Sequence, residues 1–548
     1  MITVAEAVGR TLASLGVSRA FGVVGSGNFH VTNALVDHGV EFVAARHEMG
    51  ATCMADAYSR ATGEAAVVSV HQGCGLSNAL TGIGEAAKAR TPIIVVTGDT
   101  PAYQPASNFY IDQDAAVSAF GAVAARIHRA RTAISDAHAA YTTAVVDRRT
   151  VVLSMPLDLQ TELVEWSDAS VPVLPVKAPA VASSEAVDRI VEAIAASARP
   201  VVLAGRGAWH AEAELQRLAQ HAGALLTTSA AARGLFRRDP WHLDVMGGFA
   251  THGSAQLVAD ADLLVVFGAA LNRWTTLGGS LLRGKTVIQV DDERAAIGLH
   301  YPVTTGVLGD TALTAAAAAD ALEARAEAGA ERYRSLATAE RIRQSLHWRD
   351  QPFDEVSEPG RIDPRTLTIA LDDVVPEERV VVPDGGNFNG YPGAFFRVPD
   401  ARGYSVPLAF QSIGLALSSG IGAALANEGR VPLVGIGDGG FMMSHVELDT
   451  AVRLGIGMLV VVYNDSAYGA EVQHFKHETD KLEIVSFPET DIAAIARGYG
   501  CDGITVRRRE DLAPVREWLA GARDRPLVID AKIAAFPSWL LEHSMDEN

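Results

Sequence analysis

Val431-Pro-Leu-Val-Gly-Ile-Gly-Asp-Gly439 and Met458-Leu-Val-Val-Val-Tyr-Asn-Asp465 decide how this chain folds. Each is an apolar run that stops abruptly at small or polar residues, the pattern of a strand buried on both faces. The stretch from roughly residue 444 to 454 reads as a helix between them. Strand, helix and strand in that order predict two parallel neighbours. Asp438 and the Asn464-Asp465 pair then lie at their C-terminal ends, where open α/β sheets place ligands. A carboxylate and a second oxygen donor beside Gly-rich backbone suit a hard cation carrying a phosphate, so this end of the chain predicts Mg²⁺ and a diphosphate.

Strand-like and helix-like stretches alternate along the whole chain, which predicts an α/β protein built from parallel sheets. Two stretches interrupt the rhythm: residues 168–184, rich in Pro, Ser and Ala, and residues 350–361, polar with Pro and Gly. Both read as linkers. The chain has 548 residues, enough for about three cores. The expected domains are 1–167, 185–349 and 362–536, each a doubly wound parallel sheet.

Composition narrows the function. Hydrophobic residues make up 48% and charged residues 20%, as in a globular protein. The formal net charge of −19 leaves no basic surplus to neutralise phosphates, which argues against nucleic acid or an anionic membrane as partner. Cys53, Cys74 and Cys501 have no metal-ligand spacing and fit a reducing compartment. The N-terminus enters an amphipathic helix pattern at once, without a secretory signal, and no apolar run has the length of a membrane span. A cytoplasmic enzyme is the expectation.

In the first segment, Ala20-Phe-Gly-Val-Val-Gly-Ser-Gly-Asn-Phe-His30 runs from a strand into a Gly-rich turn. His30 stands where a dinucleotide fingerprint needs its third glycine, and Gly205-Arg-Gly207 fails the same test. Both read as tight βα connections. Arg46-His47-Glu48 opens a helix, where an isolated Glu serves the helix dipole. The strand Ala66-Val-Val-Ser-Val70 follows, then His71-Gln-Gly-Cys-Gly-Leu-Ser-Asn78, and then the strand Pro92-Ile-Ile-Val-Val-Thr97 with Gly98-Asp99.

These motifs together resemble the thiamine diphosphate (ThDP) enzymes of the acetolactate synthase, benzoylformate decarboxylase and pyruvate decarboxylase family. Residues 46–63, RHE-x(5)-MADAYSR-x-TG, resemble the helix bearing that family's cofactor-activating Glu. Gly437-Asp-Gly439 with Asn464-Asp465 resembles its cofactor motif, continued by Asp438-Gly-Gly-Phe-Met-Met-Ser-His-Val-Glu-Leu448. The resemblance runs over nearly the whole chain. It implies a pyrimidine-binding domain, a middle domain and a diphosphate-binding domain, and a homodimer or homotetramer with active sites between subunits.

The resemblance also implies roles. Asp438, Asp465 and the Ala467 carbonyl would hold Mg²⁺; Gly437, Gly439, Gly440 and Ser466 would line the diphosphate. Asp465 departs from the more usual Asn and adds negative charge there. Ile413, in Ser412-Ile413-Gly414, would wedge the cofactor into its bent shape. Glu48 would hydrogen-bond the aminopyrimidine and favour the imino form that takes the thiazolium C2 proton. Gly25-Ser26 and the spacing of His71 and Asn78 resemble benzoylformate decarboxylases, so Ser26 would bind a substrate carboxylate and His71 would transfer protons. The second active-site His of that enzyme has no match near residues 271–276. A Gln of acetolactate synthases falls at Gln113 or, in another register, Asp112. Glu471, Gln473 and His474 would help to cover the substrate. The implied reaction is decarboxylation of a 2-oxo acid, alone or with carboligation to a second carbonyl. The alternative is a 2-hydroxyacyl-CoA lyase with a nucleotide pocket near Arg206, Arg273 and Arg294. FAD in the middle domain is a further possibility, on loose similarity at Gly205-Arg-Gly-Ala208 and at 267–272.

Overall fold

The computed structural model describes residues 1–167, 170–175, 178–325 and 332–540. Residues 168, 169, 176 and 177 of the first predicted linker lie outside them. Three parallel sheets carry the chain. The first holds β1 (Arg19–Gly22), β2 (Glu41–Ala44), β3 (Ala66–Val70), β4 (Ile93–Asp99), β5 (Val123–Arg126) and β6 (Val151–Pro156) in the order β2-β1-β3-β4-β6-β5. The second holds β7 (Pro200–Ala204), β8 (Leu225–Thr228), β9 (His242–Val245), β10 (Leu263–Phe267), β11 (Thr286–Asp291) and β12 (Thr305–Leu308) in the order β9-β8-β7-β10-β11-β12. The third holds β13 (Arg379–Pro383), β14 (Val431–Gly437), β15 (Leu459–Asn464), β16 (Asp502–Val506) and β17 (Leu527–Lys532) in the order β13-β14-β15-β17-β16. The α/β class with three parallel sheets is as the alternation predicts.

The apolar runs become the central strands because both faces are covered. Every residue of β3, β4, β7, β10 and β15 is buried. Strand order decides where ligands gather: successive strands are added in opposite directions from β1 and β3 in the first sheet and from β7 and β10 in the second, which opens a crevice at each switch point.

The outer two sheets share one core. Phe21, Met54, Val68 and Val95 pack into the same cluster as Leu417, Ile421, Val434 and Val460. The contact is made by α1 (Glu48–Thr62) and α2 (Ala416–Ala426), whose small residues allow close approach: a Cβ on Gly422 would overlap the Met54 carbonyl. α1 ends at Gly63, which takes the left-handed φ of 78° and closes the helix.

A buried ion cluster fastens this contact. The Arg60 guanidinium meets Asp56 at 2.7 Å and Glu85 at 2.6 Å, and donates to the Val406 carbonyl at 2.9 Å. Glu85 also accepts from the Ala409 and Phe410 amides at 3.0 and 2.7 Å. Arg60→Ala would leave two buried carboxylates without their cation. It is expected to cost about 3–5 kcal/mol, seen as a lowered urea midpoint; an unchanged midpoint would refute the clamp. No described helix is long and apolar enough to cross a membrane.

Candidate active site

Asp438 opens the short helix after β14, with Gly437 as its N-cap. Asp465 follows β15. Gly437 pairs with Tyr463 across the two strands, so both carboxylates leave adjacent strand ends at nearly the same level. The two carboxyl groups lie close enough to perturb each other's ionisation. Burial pushes the Asp438 carboxyl up to about 6. Burial, and then the neighbouring Asp438 charge, push Asp465 up to about 7. Two acids that cannot both ionise without help suit a divalent cation. The loop curls tightly around them: Ser466 takes a left-handed φ of 60°, and a Cβ on Gly439 would come within 2.5 Å of the Tyr468 ring. The oxygen donors and the bare backbone fit Mg²⁺ and a diphosphate.

Asn464, the other half of the motif, faces away from the pair. Its amide donates to Asp530 at 2.8 Å and its oxygen accepts the Ser466 amide at 3.1 Å, so it shapes the loop. Gln473 is buried and accepts from Lys476 at 2.6 Å, while Glu471 is exposed.

Residues that the motif reading passed over complete this end. Asp384 follows β13 and is fully buried. It accepts the amides of Gly414, Leu415 and Ala416 at 2.6, 3.2 and 3.3 Å, holding the loop of Ile413 and the start of α2. Burial raises its carboxyl to about 7. Ile413 is half-buried with its Cγ2 over Gly385. The signal was present in the sequence, since Val380-Val-Val-Pro-Asp-Gly-Gly-Asn387 is another apolar run ending in turn residues.

The first sheet supplies a second set, on both sides of its switch point. Ser26 follows β1 and His71 follows β3, and their side chains meet at 3.3 Å. The His71 Nδ1 lies 2.9 Å from the Gln72 carbonyl, which can only accept. In the neutral ring Nδ1 therefore holds the proton, and Nε2 faces the Ser26 hydroxyl as an acceptor. Phe109, also outside the motif reading, sets its ring 4.9 Å from the imidazole. Glu48 is the first residue of α1, after the cap His47, whose Nδ1 accepts the Met49 amide at 3.1 Å. Asn78 donates to Glu48 Oε2 at 3.1 Å. Glu48, His71 and Asn78 thus share one rim, and Ser26 joins them through His71.

Gln113 is held by the first sheet. It is buried at the start of a helix, its amide donating to Gly98 and Ser154 at 3.1 and 3.2 Å and accepting from Gly73 at 3.0 Å. With both amide protons committed, it ties the turn after β3 to β4 and β6. Asp112 caps the same helix through the Ala115 amide. The middle domain has its own switch point. At its switch point Gly205 and Gly207 donate to the Phe267 and Gly268 carbonyls at 2.8 and 3.1 Å, so the two turns lie directly together. Arg206 leaves this crevice and donates to the Ala89 carbonyl of the first domain.

Three parallel-sheet domains with polar clusters at their strand ends are the architecture of a cofactor-dependent α/β enzyme. The descriptions "Thiamine pyrophosphate enzyme, N-terminal TPP binding domain", "central domain" and "C-terminal TPP binding domain" match residues 2–118, 187–318 and 384–531. The chain belongs to the thiamine pyrophosphate enzyme family. It is 27% identical to sulfoacetaldehyde acetyltransferase of Alcaligenes xylosoxydans xylosoxydans, over 94% of this chain and 89% of that protein. It is 26% identical to acetolactate synthase of Bacillus subtilis, over 96% and 93%. The ThDP-dependent 4-hydroxybenzoylformate decarboxylase of Rhodococcus jostii RHA1 has the same fold, with a TM-score of 0.82, 22% identity, and coverage of 97% of this chain and 100% of that one.

Proposed function

We propose that this chain is a ThDP- and Mg²⁺-dependent enzyme that decarboxylates a 2-oxo acid, alone or with carboligation to a second carbonyl. The Ser26–His71 pair beside Glu48 carries the reading: a hydroxyl and an imidazole at a switch point suit a short substrate with a carboxylate and a reacting carbonyl. Asp438, Asp465 and the Ala467 carbonyl would hold Mg²⁺; Gly437, Gly439, Gly440 and Ser466 would approach the diphosphate; Ile413 would pack against the cofactor. When bound, ThDP supplies the electron sink for cleavage next to the carbonyl. Ser26 orients the carboxylate, and His71 Nε2 accepts and returns a proton. Glu48 would hydrogen-bond the aminopyrimidine ring.

The working unit is a homo-oligomer with the site between subunits. Val24, Phe29, Phe109 and Tyr110 are exposed around the first cluster, and Met442 and Met443 beside the second, which supports mutual burial in an assembly.

A panel of 2-oxo acids, scored for CO₂ release with and without an acceptor aldehyde, tests the reading. His71→Ala is expected to lower kcat on the best substrate by about 10²-fold. Absence of CO₂ from every 2-oxo acid would reject the substrate class.

A further inference from the structure

Glu447 lies beyond the Asp438 helix and takes no part in the site described. It is buried, yet it belongs to the third domain and reaches into the first. Its Oε1 accepts the His47 amide at 2.9 Å and the Arg46 amide at 3.1 Å, and its Oε2 lies 3.3 Å from the Arg46 amide. Thr450 donates to Oε2 at 2.6 Å. The neighbouring turn adds more: Asp449 pairs with Arg46 at 2.5 Å, and Arg453 donates to the Ala44 carbonyl at 2.5 Å. Residues 44–47, immediately before Glu48, are thus held by 447–453. Gly50 explains how the acid enters, because a Cβ there would overlap Glu447 Oε1.

Geometry separates this from ordinary packing. A helix start leaves its first amides without intrahelical partners. Here the Arg46 and His47 amides, at the entry to α1, are satisfied from another domain, which sets the direction in which Glu48 leaves the backbone. The same short segment begins at Asp438, so one end touches the carboxylate pair and the other the entry to α1.

We infer that Glu447 is a positioning residue: it fixes the entry turn of α1 and so aims the Glu48 carboxylate. It also couples the Asp438–Asp465 loop mechanically to that aim. This rests on the proposed role of Glu48. If the site lies between subunits, the coupling runs from one site to the other through a single chain.

The test uses full-length Glu447→Gln, Glu447→Asp and Gly50→Ala, with and without ThDP and Mg²⁺. Hydrogen exchange of the 44–50 backbone in the cofactor-free protein reads the contact itself. The expected result for Glu447→Gln is loss of protection confined to 44–50, a kcat lowered about tenfold and a KM within threefold of wild type. Glu447→Asp should recover part of kcat, and Gly50→Ala should reproduce the Gln variant by displacing an intact acid. Unchanged exchange and kcat would overturn the inference. So would a loss of protection spread over all of α1 with KM and kcat falling together, which marks a merely structural residue. Failure of the parent reading looks different: wild type would then turn over no 2-oxo acid, while exchange at 44–50 would still decide whether Glu447 holds that turn.

Discussion

Glu48→Gln is expected to lower kcat by about 10³-fold, the middle of the range for a lost general acid–base group. The fold and the cofactor affinity should stay within a few-fold of wild type. The substitution preserves size, and the amide oxygen can still accept from Asn78. What is lost is a group that can share a proton with a ring nitrogen. Glu48 is half-buried at the start of α1, so a neutral amide is tolerated there and unfolding is not the expected outcome. Turnover, ThDP binding and melting midpoint should be measured on the same preparation. A variant with wild-type turnover would remove Glu48 from the mechanism.

Mg²⁺ is expected to stabilise the protein strongly above pH 7 and hardly at all near pH 5. Without a cation, burial holds Asp438 at about 6 and Asp465 at about 7. An unperturbed Asp titrates near 3.9. A raised carboxyl favours the protonated fold, so its stability contribution is complete below about pH 4 and is lost as pH rises through 6 to 7. The loss is on the order of 3 kcal/mol per carboxyl at 1.36 kcal/mol per unit. Mg²⁺ binds the ionised pair and reverses that loss, so its effect grows over the window in which both protons leave. Melting midpoints with and without Mg²⁺ from pH 5 to 8 read this directly. Asp438→Ala should abolish the difference and weaken Mg²⁺ by more than about 100-fold, beyond the cost of losing a mere orienting partner. A Mg²⁺-induced shift equal at pH 5 and pH 8 would refute the carboxylate pair as the cation site.

Much of this site is legible in the chain because its donors sit at the ends of apolar runs. Asp438, Asp465 and His71 each follow a strand immediately, Ser26 sits in the turn after one, and a strand end is a local property of sequence. Asp384 carried the same signal, though no motif drew attention to it. Gln113 shows the limit. Its position after the β4 loop is readable, but whether it faces solvent or the interior depends on the rotation of one helix against the sheet. Three polar atoms, one from the turn after β3 and two from β4 and β6, settle that rotation, and only the fold brings them together.

The sequence by itself determined the alternation of strands and helices, the parallel α/β class, the family, and the acidic pair beside glycines. These follow from period, length and turn chemistry within a few residues. Only the tertiary structure decided that Asp438 and Asp465 perturb each other's ionisation, that Ser26 faces His71, and that Glu447 holds the turn before Glu48. Those contacts join residues up to 401 apart in the chain. They depend on strand order and on how α1 and α2 pack together, which no local pattern encodes.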